Sequence, residues 1–302
     1  MPDPTDADEA PGRAAQPHKI PPGLHLIATP IGAARDITLH ALDLLAGADM
    51  LLAEDTRALR RLMEIHGIAL GDRRILPYHD HNGAQMRPRI MAALAAGKSV
   101  VYAAEAGTPM VADPGYQLAR ATIAEGHALH SAPGPSAALA ALTLSGLPSD
   151  RFCFMGFLPS QGGARKQVLD EAAAIPATLI FYESPKRIHR MLGELCEALG
   201  RDRQAALCRE LTKMHQEVLR MPLGEMVDAL ADRSLKGEIV LLVDRAAEKP
   251  ASAADLDRAL EDALARLSLK QAVAQVAEDL GLPRRQVYQA ALARRSAKGE
   301  EP

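Results

Sequence analysis

The chain has 302 residues, 48% of them apolar but only 3% aromatic and none tryptophan, so Ala, Leu, Ile, Val and Met must fill its interior. Its 35 lysines and arginines against 38 aspartates and glutamates leave a net charge of −3. Scarce rings exclude an RNA reader built on base stacking, and the absence of any charge-free apolar run of about 20 residues excludes a bilayer-spanning helix and points to a soluble protein. A nucleic acid, if one binds, must be met by a local basic surface rather than by the field of the whole molecule.

In length the chain corresponds to roughly two domains of about 150 residues. Residues 1–17 are rich in Pro, Asp and Ala and lack a basic start followed by an apolar stretch, so they read as a disordered tail and not a signal peptide. Short apolar runs at 24–28, 50–53, 99–103 and 127–131 read as strands. Helical patterns at 39–46, 57–66, 85–96 and 116–125 lie between them. That alternation predicts an α/β domain with a largely parallel sheet.

The second half repeats the style. A helix follows Pro135, then come a strand at 152–155, a helix from Arg165, a strand at 178–182 and a helix after Pro185. A strand at 206–209, a helix from Leu223 and a closing strand at 238–244 complete it. The Pro133-Gly134-Pro135 hinge marks the boundary. The expected division is a tail over 1–21, α/β domains over 22–132 and 133–245, a linker over 246–254 and a helical extension over 255–302. In the extension, helices at 269–280 and 284–295 flank Gly281-Leu282-Pro283, where Gly ends one helix and Pro opens the next. This pair reads either as a helix-turn-helix or as a simple hairpin. Arg284, Arg285, Arg294, Arg295 and Lys298 favour phosphate contacts.

Ligands of open α/β sheets bind beyond the carboxyl ends of strands, so the residues immediately after each strand are the informative ones. There the chain carries Ala28-Thr29-Pro30-Ile31-Gly32, Ala53-Glu54-Asp55-Thr56-Arg57, Glu105-Ala106-Gly107-Thr108-Pro109, Pro133-Gly134-Pro135-Ser136-Ala137 and Tyr182-Glu183-Ser184-Pro185. Each alone reads as an ordinary strand-to-helix turn. Together they are stiffened loops that expose main-chain groups at fixed spacing, suited to a ligand held mostly by backbone. Glu54 and Asp55 also read as acids favoured at a helix start.

Other signatures fail. No G-x-G-x-x-G is present. Gly97-Lys98-Ser99 leads into a strand instead of following one, so it is no P-loop. Gly134-Pro135-Ser136-Ala137-Ala138 lacks the closing Gly of a nucleophile elbow. His79-Asp80-His81-Asn82 reads as a hydrogen-bonding loop rather than a metal cluster, and no metal is expected. Cys153, Cys196 and Cys208 are widely spaced, which argues against a disulfide or zinc framework and for the cytoplasm.

These loops, in this order, resemble the tetrapyrrole methylase superfamily from about residue 23 to 244. So do His79-Asp80-His81-Asn82, Asp113-Pro114-Gly115-Tyr116, Ser145-Gly146-Leu147-Pro148, Gly156-Phe157-Leu158-Pro159, Arg209-Glu210-Leu211-Thr212-Lys213 and Lys236-Gly237-Glu238. Departures are Ala33 where Asn is usual, Ala104-Glu105 for Ser-Asp, and Asp80 for Glu.

The resemblance implies two α/β domains of tetrapyrrole methylase type with a cofactor cleft between them, plus a small C-terminal helical domain. It implies S-adenosylmethionine against Thr29, Pro30, Glu105, Ala106, Gly107, Thr108, Ser136, Ala137 and Tyr182. The rRNA-modifying branch implies methylation of the ribose 2′-oxygen of a cytidine in the decoding region of 16S rRNA, in the small ribosomal subunit, by a homodimer. A ribose hydroxyl is a weak acid, so Glu183 is expected as base and Lys213 or Arg57 as its cationic partner. Arg284, Arg285, Arg294 and Arg295 are expected on the rRNA backbone. The rival readings are methylation of a tetrapyrrole and a non-catalytic RNA-binding assembly protein.

Overall fold

The computed structural model describes residues 20–111, 115–246 and 253–297, with side chains up to Arg294. The expected tail up to residue 19, Asp113-Pro114, Lys298 and the Arg295 side chain lie outside the described residues. The chain forms two compact units, 1–245 and 246–302.

In chain order the first unit opens with β1 (Gly23–Ile27), α1 (Leu39–Gly47), β2 (Met50–Ala53), α2 (Thr56–Ile65), β3 (Ile75–Pro77), α3 (Gly83–Ala95), β4 (Ser99–Ala103), α4 (Gly115–Ala124) and β5 (Leu129–Ala132). The strands pair in parallel in the order β3-β2-β4-β1-β5. Every residue of β1 and β4 is buried, as strands covered on both faces require. Alternation sends Ile27, Val101 and Ala103 into a cluster with α1 and α2, and Leu24, Leu26 and Tyr102 into one with Ile90 of α3 and Leu118 of α4.

From β1 the chain crosses toward β2 on one side, whereas from β4 it crosses back over β1 to β5. The carboxyl ends of β1 and β4 therefore form a topological switch point, the place where such sheets open a crevice.

The unit continues with α5 (Ala137–Ser145), β6 (Phe152–Phe157), α6 (Gly162–Ala173), β7 (Thr178–Glu183), α7 (Ile188–Leu199), β8 (Gln204–Arg209), β9 (Glu217–Pro222), α8 (Leu223–Leu230) and β10 (Ile239–Val243). These strands order as β6-β7-β10-β8-β9. Only β6 and β7 are parallel, so the expectation of a second largely parallel sheet is corrected. The reason is β9, unanticipated from sequence: a short loop after β8 returns the chain as an antiparallel hairpin, and β10 then enters between β7 and β8 antiparallel to both.

Leu179 and Phe181 of β7 pack with α6, α7 and α8 on one face, while Ile180 and Tyr182 pack with α5 on the other. Ile31, from the loop after β1, joins this second cluster and gives the two sheets a shared apolar contact. The small Ala138 and Ala141 let α5 approach its sheet closely, and Gly146, left-handed at φ 74°, ends that helix.

The second unit holds α9 (Ala253–Leu264), α10 (Leu269–Asp279) and α11 (Arg284–Ala297). The latter two match the expected helices. The first was not anticipated, and residues 253–254, read as linker, form its first turn. Leu256, Leu260, Val273, Val276, Val287 and Ala291 make the core of the unit. Among the described residues no helix is long and apolar enough to cross a membrane.

Candidate active site

At the switch point the loops after β1 and β4 are tied together. Thr29 and Gly107 exchange backbone hydrogen bonds of 3.0 and 2.9 Å, and the Thr29 hydroxyl donates to the Ala104 carbonyl at 3.1 Å. Gly107 turns at φ 80°, a conformation open to glycine without steric cost. Thr108 then donates its hydroxyl to the Pro135 carbonyl at 2.9 Å, joining the turn to the inter-sheet hinge. From the second sheet, the Tyr182 hydroxyl accepts the Ala138 N–H at 3.1 Å, and burial raises its pKa. Phe154 and Phe157 meet the Tyr182 ring edge-on, with centroids 4.9 and 5.6 Å away.

Between these parts lies a cavity of about 400 Å³. Of the residues expected at the cofactor, Glu105, Ala106, Gly107, Thr108, Ser136, Ala137 and Tyr182 line it. Thr29 and Pro30 do not; Thr29 is buried and clamps the 105–108 turn from behind. Ile31, Glu54, Val111, Phe157, Glu183, Ser184-Pro185 and residues 237–240 complete the lining.

Residues 237–240 fall outside the expectation that ligands sit beyond the carboxyl ends of strands. β10 runs antiparallel to β7, with Ile239 opposite Glu183 and Val240 opposite Tyr182, so its beginning lies at the crevice. Glu54, Glu105 and Glu238 among the lining residues make the cavity anionic, suited to a ligand that carries positive charge.

Lys213 stands at the rim of this wall. Its ammonium reaches Glu210 at 2.8 Å and the lining residue Glu238 at 2.9 Å. Burial alone would lower its pKa, but the bonds to the two carboxylates outweigh that and raise it. The bond to Lys213 holds Glu210 below the usual glutamate range. Glu210 and Thr212, on either side of Leu211 and next to Lys213, both adopt left-handed backbone, at φ 51° and 61°, which stores strain in this loop. Gly32 lies beneath it, where a Cβ would come within 2.5 Å of the Thr212 hydroxyl, and that hydroxyl accepts the Ala33 N–H at 3.0 Å.

Glu183, expected as the base, belongs to the cavity lining, but its carboxylate is engaged by arginines. Its carboxylate is fully enclosed, 3.6 Å from Arg165 and 3.2 Å from Arg187, and accepts the Ser184 N–H at 2.8 Å. Neighbouring residues of a strand point to opposite faces. With Tyr182 turned toward α5, Glu183 is turned toward α6, where the buried Arg165 also binds Glu194 at 2.6–2.7 Å.

Arg57 is likewise not brought into the cavity: its side chain is 93% exposed and it stands 3.8 Å from Asp55. Asp55 is the N-cap of α2, accepting the Arg57 and Ala58 N–H groups, as the helix-start reading expects. Asn82 similarly stabilises a hydrogen-bonded turn, accepting from the His79 N–H and donating to the Pro77 carbonyl, both at 2.9 Å.

In the second unit Arg284 and Arg285 are exposed. Arg294 is committed to α9 instead, 2.6 Å from Glu261 and bonded to the Asp257 carbonyl at 3.1 Å, which corrects its reading as a free phosphate contact.

Comparison with known proteins agrees with this architecture. The family described as Tetrapyrrole (Corrin/Porphyrin) Methylases matches residues 23–227, and the one described as RsmI C-terminal HTH domain matches residues 250–295. The chain is 45% identical over 283 residues to the ribosomal RNA small subunit methyltransferase I of Mesorhizobium japonicum, covering 93% of this chain and 95% of that one. It is 39% identical to the protein of the same name from Escherichia coli O157:H7, covering 89% and 94%.

Among solved structures, diphthine synthase superposes with a TM-score of 0.58 at 16% identity, covering 73% of this chain and 89% of that one. The methyltransferase CobJ gives 0.57 at 22%, covering 74% and 95%. A Thermus thermophilus uroporphyrin-III C-methyltransferase complexed with S-adenosyl homocysteine gives 0.51 at 20%, covering 74% and 97%. These structural likenesses carry the fold. The chain belongs to the tetrapyrrole methylase family and, within it, to the family of ribosomal RNA small subunit methyltransferase I.

Proposed function

We propose that this protein transfers a methyl group from S-adenosylmethionine to the ribose 2′-oxygen of a cytidine in the decoding region of 16S rRNA, acting on the small ribosomal subunit in the cytoplasm. The observation that carries the reading is the anionic cavity at the switch point, in a chain so similar to relatives that bear the rRNA methyltransferase name. The cofactor fits this lining, because a sulfonium and an ammonium are cations and the lining residues include Glu54, Glu105 and Glu238. Residues 105–108, Ser136-Ala137 and Tyr182 would hold it.

Bound there, the cofactor supplies a methyl group already activated by its sulfonium. The residues of the chain supply alignment, which is worth on the order of several kcal/mol. Thr29 and Thr108 fix the 105–108 turn, and the Tyr182 hydroxyl bonded to Ala138 fixes the opposite wall. Lys213, bonded to the lining residue Glu238, is the cation proposed to favour ionisation of the ribose hydroxyl. Glu105, on the cavity lining, is proposed as the proton acceptor. Arg284 and Arg285 are proposed to contact rRNA phosphates.

A homodimer is part of this reading. It is supported by exposed rings on the edge strand β6, where Phe152 is 46% exposed, and light scattering should return twice the chain mass.

The test is incubation with labelled S-adenosylmethionine and either small ribosomal subunits or a tetrapyrrole. Label in rRNA supports the proposal, label in the tetrapyrrole contradicts it, and RNA binding with neither label nor cofactor binding favours an assembly protein.

A further inference from the structure

Carboxylates on the cavity lining repel a polyanion, so a strand of RNA that presents one ribose there is best held by its phosphates outside the rim. The first element beyond that rim is α2. Glu54 lines the cavity, Asp55 caps the helix, and Arg57 lies in its first turn.

On this helix, residues 57, 60, 61 and 64 fall at the i, i+3, i+4, i+7 spacing of one face, and Leu59 and Met63 are buried on the other. The outer face is therefore Arg57, Arg60, Arg61 and Glu64. Arg57 is 93% exposed, and the nearby Asp55 carboxylate is already bonded to the Arg57 and Ala58 N–H groups. Arg61 is 73% exposed, with Glu64 at 3.7 Å. Arg60 is exposed and has no carboxylate partner among the described residues. His66, just past the helix, bonds the Ala34 carbonyl at 2.9 Å and ties α2 to the 34–36 turn that carries the exposed Arg35.

A core needs only the inner face of α2. Three exposed arginines on the outer face, on a chain of net charge −3, add no stability that the packing requires. We propose that the arginine face of α2, Arg57, Arg60 and Arg61 with Arg35 beside it, is a docking surface for the ribose-phosphate backbone of RNA next to the cavity. Guanidinium groups suit phosphate through paired N–H donors, and they contact it without reading sequence. This inference rests on RNA being the substrate.

The experiment measures binding of small ribosomal subunits to the full chain as a function of salt, together with methyl transfer, for wild type, the triple variant R57A/R60A/R61A and the charge-keeping R57K/R60K/R61K. Calorimetry with S-adenosylmethionine reports whether each variant keeps a formed cavity. For the alanine variant, the expected result is a salt slope shallower by about two to three and a subunit KM raised on the order of tenfold. Cofactor affinity should be retained, and the lysine variant should recover most of the salt slope.

An alanine variant with the wild-type salt slope and KM would overturn the proposal. So would a loss that the lysine variant shares in full, since that would report guanidinium packing and not charge. If the alanine triple loses cofactor affinity, R60A/R61A decides by the same salt slope. A wild type that binds subunits but transfers no methyl group to them would overturn the proposed function, while the salt slopes would still test the surface.

Discussion

Adjacent residues of one strand carry opposite duties at the end of β7. Tyr182 turns toward α5 and Glu183 toward the buried Arg165 and the half-buried Arg187, so the sequence Tyr-Glu-Ser-Pro builds a wall from one face and an anchor from the other. Strand alternation was the signal available in the sequence, because neighbouring side chains of a strand point to opposite faces. Removing one partner of a buried ion pair is strongly destabilising. Glu183→Ala should therefore lose on the order of 3 kcal/mol by urea titration. Glu183→Gln should keep methyl transfer at saturating substrates if the carboxylate is an anchor, whereas a general base would lose it.

The Lys213 cluster predicts a pH dependence of definite sign. Its bond to Lys213 lowers the pKa of Glu210 in the folded state, so the stability it contributes is present above the ordinary glutamate pKa. That contribution is lost as pH falls through the lowered value. The urea midpoint of the wild type should thus fall more steeply than that of Glu210→Gln when pH drops below about 4.3. Parallel curves would separate Glu210 from the effect.

Elements differ in how plainly their sequences announce them. Met50–Ala53 and Ser99–Ala103 were legible because strands covered on both faces are uninterrupted apolar runs. β3 is three residues ending in Pro77, too short for any period to register. β9 is an edge strand carrying Glu217 and Arg220 with no fully buried position, so it lacks the apolar face that marks a strand. Its absence from the sequence reading also concealed the antiparallel half of the second sheet and, with it, residues 237–240 at the cavity.

The strap between β8 and β9 tests how tightly the two sheets are joined. In Gly32→Ala the new Cβ would lie 2.5 Å from the Thr212 hydroxyl, 2.6 Å from Lys213 Cγ and 2.8 Å from the Leu211 carbonyl. The loop must yield, at a cost of about 1–3 kcal/mol. Because Ile31 beside it lines the cavity, calorimetry should also report weaker cofactor binding. Gly193→Ala, in the middle of α7 with nothing within 4 Å of its Cβ, should instead stabilise by up to about 1 kcal/mol. Equal effects at the two glycines would contradict the strap.

For the molecule as a whole, charge is divided by place and not by total. A chain of net charge −3 keeps carboxylates at its cavity and exposed arginines on the outer face of α2 and at the start of α11. Basic residues in the C-terminal unit were legible from sequence. Which of them are free was not, because the Asp257 and Glu261 partners of Arg294 lie on α9, a helix the sequence reading did not foresee. Arg284→Ala with Arg285→Ala should reduce the salt slope of subunit binding by about two without changing cofactor affinity. An unchanged slope would remove that helix from the RNA surface.

The few rings now have a place as well. Phe157 and Tyr182 line the cavity, and Phe154 meets the Tyr182 ring edge to face behind them.

Transfer of a methyl group to one ribose oxygen is checked by treating small ribosomal subunits that lack the modification with the protein and S-adenosylmethionine, digesting the rRNA and identifying the methylated nucleoside by mass spectrometry. The expected product is 2′-O-methylcytidine from the decoding region, formed by the wild type. A base-methylated nucleoside, or no new methyl group in the rRNA, would contradict it.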